Sequence, residues 1–324
     1  MDGFPRPKVL VSRCLEFENV RYDGHVISSQ IVEDLEPYVD YIKVCPEVEI
    51  GLGVPRDPIR IVKINGRYRL IQHRTNRDIT EEMDKFTDDF LGKLQDVDGF
   101  IFKSGSPTIG YRNIKVYSGM ESATVIEKGS GFFAAKILER YNGYPVEEND
   151  RLRNGRIRHH FLTNLFAFTE FRRIKSKESI DELIKYHKKH HYLFLTYNIK
   201  IYNELESLIK NCFDITIKTL FDNYEYHLKE LFSKPPISEY YLQTANTIFS
   251  QFSSKVPQSE IEYFNQVLEK YKQNLITLHG LLEILKLYVL RFDNTGIKDD
   301  RLFHPYPTKL QPSVDEDRDK DYWK

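Results

Sequence analysis

Lys8-Val9-Leu10-Val11-Ser12-Arg13-Cys14 is a short aliphatic, β-branched run that stops at a polar turn carrying a cysteine. Tyr41-Ile42-Lys43-Val44-Cys45-Pro46-Glu47 repeats the arrangement. Gly99-Phe100-Ile101-Phe102-Lys103-Ser104-Gly105-Ser106-Pro107-Thr108-Ile109-Gly110 repeats it again, with Ile109 in its turn instead of a thiol. Each predicts a strand bounded by turn residues. Between them, Ser28 to Tyr38 and Thr80 to Leu94 have helical patterns, with Asp78 or Thr80 as N-cap before acidic first turns. Strand and helix in alternation predict an α/β domain with a mainly parallel sheet, whose ligands sit at the carboxyl ends of the strands. Cys14, Cys45 and the Ser106 turn are therefore expected to converge on one crevice.

The pattern changes further along. From Gly155 the hydrophobic period becomes helical, with Ile157, Phe161, Leu165 and Phe166 on one face. Helices are predicted over Tyr202 to Leu231, Ser238 to Phe252, Ser259 to Tyr271 and Leu275 to Phe292, with breaks at Pro235-Pro236 and Pro257. The α/β domain is thus expected over residues 6–153, an all-α helical domain over 154–312, and a flexible charged tail over 313–324. Gly129-Ser130-Gly131 reads as the opening of a helix at Phe132. A chain of 324 residues with 40% hydrophobic content has material for two cores. Its net charge of −1 makes no global case for nucleic acid, so any such binding must come from local patches. No apolar run approaches the ~20 residues that span a bilayer, and the N-terminus lacks the pattern of a signal peptide. The chain therefore reads as cytoplasmic, and its three cysteines are not a disulfide framework.

Several ordered motifs carry a family resemblance. Ser12-Arg13-Cys14, Val20-Arg21-Tyr22-Asp23-Gly24, Cys45-Pro46-Glu47, Gly51-Leu52-Gly53-Val54-Pro55-Arg56 and Lys103 to Gly110 resemble the domain of unknown function 523 family, whose characterised members are thiouracil desulfidases. Pro145-Val146-Glu147-Glu148 and Asn154 fit the same pattern, and the likeness covers roughly residues 6 to 160. Beyond it, Tyr186-His187-Lys188-Lys189-His190 and His304 to Leu310 resemble the helical domain of unknown function 1722, also called YbgA-like. The fusion resembles RNA 2-thiouridine desulfidases. That resemblance implies a 4Fe-4S cluster held by three cysteines with one iron open to a thiocarbonyl sulfur. Cys14 and Cys45 would be metal ligands, and the third ligand position is Ile109, whose side chain has no lone pair to offer iron. Cys212 reads as a small buried hydrophobe in a helix.

The resemblance also implies roles for neighbouring residues. Glu47 would be the general acid or base and Ser106 would hold or relay a proton. From their charge alone, Arg21, Arg56, Lys103 and Arg112 near the same turns, with the backbone amides around Ser104, suit a nucleotide or RNA backbone; each cation reads equally as structural, Arg21 beside Asp23 as a turn brace. In the helical half, Lys185, Lys188 and Lys189 form the strongest local basic patch, with Tyr186 and histidines interleaved. A tRNA contact and a solvated helix face with half-buried histidines both fit that strip. His187 with His190 or His191 has zinc-compatible spacing but no companions to complete four ligands. Two functional readings stand: an enzyme acting on thiolated pyrimidines, chiefly 2-thiouridine in tRNA, and a noncatalytic descendant that binds RNA or a partner without a cluster. A two-cysteine redox site is a third.

Overall fold

The computed structural model describes residues 3–119, 124–292 and 295–312; the predicted tail over 313–324 lies outside them. The chain divides into two compact units, one built from Pro5–Leu165 and the chain from Leu310 onward, the other from the first residues through Phe4 with Phe166–Lys309.

In chain order the first unit comprises β1 (Lys8–Ser12), α1 (Gln30–Leu35), β2 (Asp40–Val44), α2 (Pro46–Glu49), β3 (Ile59–Ile64), β4 (Arg67–Gln72), β5 (Arg77–Asp78), α3 (Thr80–Lys93), β6 (Gly99–Phe102), β7 (Ile114–Tyr117), β8 (Val125–Gly129), α4 (Phe132–Arg140) and β9 (Val146–Glu148). One sheet has the order β2-β1-β6-β9 and is parallel throughout. Val11 pairs with Lys43 on one side and Ile101 on the other, so the three apolar runs of the sequence lie side by side. Val9, Leu10 and Val11 are 0% exposed, the signature of a parallel strand covered on both faces. The strand alternation thus folds as expected, as an α/β unit with a mainly parallel sheet.

A second sheet, ordered β5-β4-β3-β7-β8, sits in the chain between β2 and α4, with β6 intervening. It is antiparallel except where β3 runs parallel to β7. Its nucleus is the hairpin β3–β4, closed by Asn65 and Gly66, both at positive φ (49° and 77°). A two-residue Asn-Gly loop is the connection whose twist matches that of the flanking strands. In α3, the backbone N–H and hydroxyl of Thr80 both donate to Asp78 Oδ1, at 2.9 and 2.5 Å. The main core packs Leu10, Val44, Phe100 and Phe102 of the parallel sheet against Phe133 and Ile137 of α4.

The chain continues with α5 (Gly155–Lys175), α6 (Ile180–Lys189), α7 (His191–Leu195), α8 (Ile199–Lys210), α9 (Ile217–Leu231), α10 (Ser238–Ser250), α11 (Gln258–Lys272), α12 (Leu278–Arg291) and α13 (Thr295–Lys298). The second unit is helical, as its period predicts. Two details differ from expectation. α5 is buried on every side from Phe161 to Ala167, not on one face. The single helix expected over Tyr202 to Leu231 is two, because Asn211, Asp214 and Ser or Thr side chains favour turns and caps over helix interiors; Thr216 Oγ accepts from Thr219 N at 3.2 Å and starts α9 afresh. Cys212 therefore lies in a turn, though it is buried as expected.

The aromatic core of this unit takes in the histidines of the basic strip. Tyr186 and His190 rings lie 4.1 Å apart, and Tyr224 stacks on Phe171. His190 Nδ1 donates to the Tyr186 carbonyl at 2.8 Å, and burial pushes its pKa down to about 3, against the pull of nearby Glu170. Burial also lowers the pKa of His187, which bonds Tyr224 Oη and Glu206, both at 2.9 Å. A histidine whose folded pKa lies below its unfolded value near 6.5 contributes stability that is complete above pH 6.5 and is lost as pH falls from there toward the folded value. For His190 the loss between pH 7 and 5 is about 2 kcal/mol. Buried Asp300, its carboxyl raised to about 7 by desolvation, shifts stability the opposite way over the same range, so the His190 contribution is expected as a difference of that size between the parent and His190→Asn in their pH 7-to-5 stability change, read by urea unfolding.

Candidate functional site

Three strands of the parallel sheet end at the same edge, and each hands its chain to a turn. Ser12 closes β1, and its hydroxyl accepts from Lys103 N at 2.9 Å, tying the ends of β1 and β6 together. Arg13 N donates to Val44 O at 2.8 Å, so the β1–β2 pairing persists one residue further and Cys14 is the first residue beyond it. Cys45 follows β2 directly and precedes Pro46, the first residue of α2. Ser104 follows β6; its backbone N–H donates to Asn149 Oδ1 at 3.1 Å, beyond the end of β9.

These turns enclose a cavity of about 320 Å³ whose lining includes Cys14, Arg21, Cys45, Glu47, Arg56, Lys103, Ser104, Ser106 and Ile109. The size is that of a site for one small molecule. All three cysteines are free thiols in this structure. Burial, reinforced by the charge of Glu47, pushes the Cys14 thiol up to about 11 and that of Cys45 up to about 12. Both are therefore protonated at neutral pH.

Glu47 is held in the wall at 8% exposure. Its Oε1 accepts from Thr108 Oγ1 at 2.6 Å, and its Oε2 lies 3.4 Å from Cys45 Sγ and 3.9 Å from the Arg56 guanidinium. Because the Thr108 hydroxyl spends its proton on the carboxylate, its oxygen takes the proton of Ser106 Oγ, 3.0 Å away. Ser106 Oγ in turn receives the backbone N–H of Ile109 at 3.3 Å. The result is an oriented chain, Ser106 to Thr108 to Glu47, running from the half-buried turn to the buried acid. Arg56 donates to Val20 O at 2.8 Å and braces the loop that carries Arg21. Lys103 Nζ donates to Ser104 O at 2.6 Å, and Ser104 Oγ donates to Asp150.

Thr108 had no assigned role in the sequence, and only the approach of α2 to the 104–110 turn reveals one. The turn itself is held by a glycine reading as nothing more than a helix opener. Gly131, at the start of α4, donates to Gly110 O at 2.7 Å, and a Cβ on it would come within 2.5 Å of the Thr108 carbonyl carbon. Gly129 has open space around it.

Other predicted residues are placed elsewhere. Arg112 is exposed and does not line the cavity; its guanidinium lies over the Tyr111 ring, and its backbone N–H binds Glu148. Arg21 lines the cavity and also pairs with Asp23 at 3.2 Å, so the brace is real. In the helical unit Lys185 and Lys188 are exposed, whereas Lys189 pairs with Glu170 at 3.4 Å. Tyr186, His187 and His190 are buried, so none of these rings can stack on a base. Nor do His187, His190 and His191 form a metal group: among the described residues the trio of potential ligands drawn together is Glu204, His227 and Glu230 of α8 and α9.

Residues 9–149 match the family model of 2-thiouracil desulfurase, and residues 191–307 match that of protein of unknown function 1722. The first unit thus carries a segment that matches the 2-thiouracil desulfurase model, followed by a helical segment that matches the model of unknown function 1722. The uncharacterized protein YbbK of Bacillus subtilis (strain 168) is 29% identical over 150 residues, spanning 44% of this chain and 96% of that protein. A solved structure titled [4Fe-4S]-dependent thiouracil desulfidase TudS is 30% identical, covers 45% of this chain and 93% of its own, and superposes with a TM-score of 0.37. No described helix is long and apolar enough to cross a membrane.

Gly131→Val should push Thr108 out of line, with a stability loss of about 1–3 kcal/mol in urea unfolding. Gly129→Ala, where there is room, should stay within about 0.5 kcal/mol of the parent.

Proposed function

We propose that the cavity at the carboxyl edge of the parallel sheet binds a thiolated pyrimidine, and that the chain is a desulfidase-like protein acting on such bases. The observation that carries this reading is the assembly of Cys14, Cys45, Glu47, Arg56, Lys103 and the Ser106 turn around one small cavity, in a segment that matches 2-thiouracil desulfurases. A pyrimidine presents ring N–H donors beside carbonyl or thiocarbonyl acceptors. Glu47 accepts from an N–H or exchanges its proton, and the Ser106–Thr108 chain supplies a path for that proton. Lys103 and Arg21 serve the acceptor edge or, in a nucleotide, its phosphate.

A four-iron cluster, implied by the resemblance, would be held by cysteine thiolates, each a soft anionic donor. The cavity offers two thiols, Cys14 and Cys45, and a hydrocarbon at Ile109. This donor set does not fit a cluster held by three thiolates. What the chain's own residues support is recognition of the base and proton exchange with it.

The finer reading is 2-thiouridine within tRNA, with Lys185 and Lys188 contributing phosphate contacts. It is supported by the exposure of those two lysines and by the cations at the cavity. Calorimetric titration should show 2-thiouracil binding, and Glu47→Gln should weaken it about ten- to hundredfold, the worth of one charge-assisted hydrogen bond. No heat with 2-thiouracil or 2-thiouridine would defeat the proposal. For tRNA, Lys185→Glu with Lys188→Glu is expected to lower affinity irrespective of thiolation and to reduce the salt slope by about 2; an unchanged slope would restrict the ligand to the free base or nucleoside.

A further inference from the structure

We infer that this cavity receives the pyrimidine without an iron–sulfur cluster, with Ile109 as the apolar wall against which the base lies. The inference rests on the reading of the cavity as a pyrimidine site and specifies how that site works in this chain.

Ile109 faces two ways. It lines the cavity and is also 4% exposed within the main core, where it packs with Leu10, Val44, Phe102 and Phe133. A side chain so placed cannot swing aside to admit a ligand from elsewhere. The backbone around it is equally fixed. A Cβ on Gly110 would meet Ser106 N and O at 2.9 and 2.8 Å, and Gly131 presses on Thr108 from the other side. The turn therefore has no slack with which to present another donor at this position.

The remaining donors have other occupations. Cys45 Sγ lies 3.4 Å from Glu47 and 3.8 Å from Val20 O, part of a bonded wall that includes Arg56. Glu47 Oε1 accepts from Thr108, and Oε2 lies beside Cys45 Sγ at the cavity. The third cysteine of the chain is buried in the turn between α8 and α9.

What the cavity offers instead is a match to the base itself. Ile109, Val20 and Pro107 provide apolar surface for a flat ring, while Glu47 and Lys103 provide an acceptor and a donor for its edge. A cavity of about 320 Å³ is at the small end of ligand sites, suited to one heterocycle. A polarisable thiocarbonyl sulfur also suits a hydrocarbon wall better than an oxygen that must be hydrogen-bonded.

The test uses the full chain, prepared once with chelator and once by anaerobic reconstitution with iron and sulfide. Iron and sulfide content and equilibrium dialysis against 2-thiouracil are measured on both. The expected result is equal binding by the two preparations, iron far below the ~4 per chain of a cubane, and iron uptake rising severalfold in Ile109→Cys. Ile109→Asp should weaken 2-thiouracil at least tenfold. Ile109→Val, which keeps the core filled, should weaken it only a few-fold. Binding confined to a wild-type preparation holding ~4 irons per chain would overturn the inference and leave the pyrimidine reading standing. Binding by neither preparation would overturn both.

Discussion

The parallel pairing of β1 with β2 on one side and β6 on the other is the constraint on which the site depends. Parallel strands point their carboxyl ends to one edge of the sheet, so the residues following them become neighbours whatever their separation in sequence. Cys14, Cys45 and Ser104 meet in this way, drawn from positions dozens of residues apart. The central strand is apolar on both faces because helices and loops cover it. That burial makes a slip of register costly: moving the strand by one position would carry Lys8 into the buried place of Val9.

On that edge, two kinds of wall are built from one short turn. Residues 104–110 contribute the hydroxyls of Ser106 and Thr108 to the polar side and Ile109 to the apolar side. The polar side conserves a buried carboxylate within a hydrogen-bonded chain, a group that is stable there only because its oxygens are satisfied. The apolar side is continuous with the main core. Chemistry and folding therefore share residues, and the identity of residue 109 bears on both at once.

Legibility in the sequence followed the range of the interactions. The three strands and their crossover helices were readable because their period and turn residues are local. The Asn65-Gly66 hairpin was equally local and could have announced the second sheet, since both residues take positive φ in a two-residue turn. The basic strip at Lys185 to Tyr192 misled in one respect. Its rings at Tyr186, His187 and His190 are core, a fact set by Tyr224, Phe171 and Phe194 from other helices and invisible in the strip itself. Arg112 likewise sat near a motif in sequence but lies over the Tyr111 ring and is not part of the cavity lining.

By itself the amino-acid sequence determined the class of each half, the positions of the turns that would carry chemistry, and the presence of isoleucine where a thiol was expected. Those properties depend on period, propensity and residue type, all of which act within a few residues. Tertiary structure alone decided that Thr108 bonds Glu47 across 61 positions, that Gly131 wedges the turn in place, and that Ile109 is at once core and cavity wall. Each of these is a contact between elements. Its existence depends on how sheet and helices pack, and no local pattern records that.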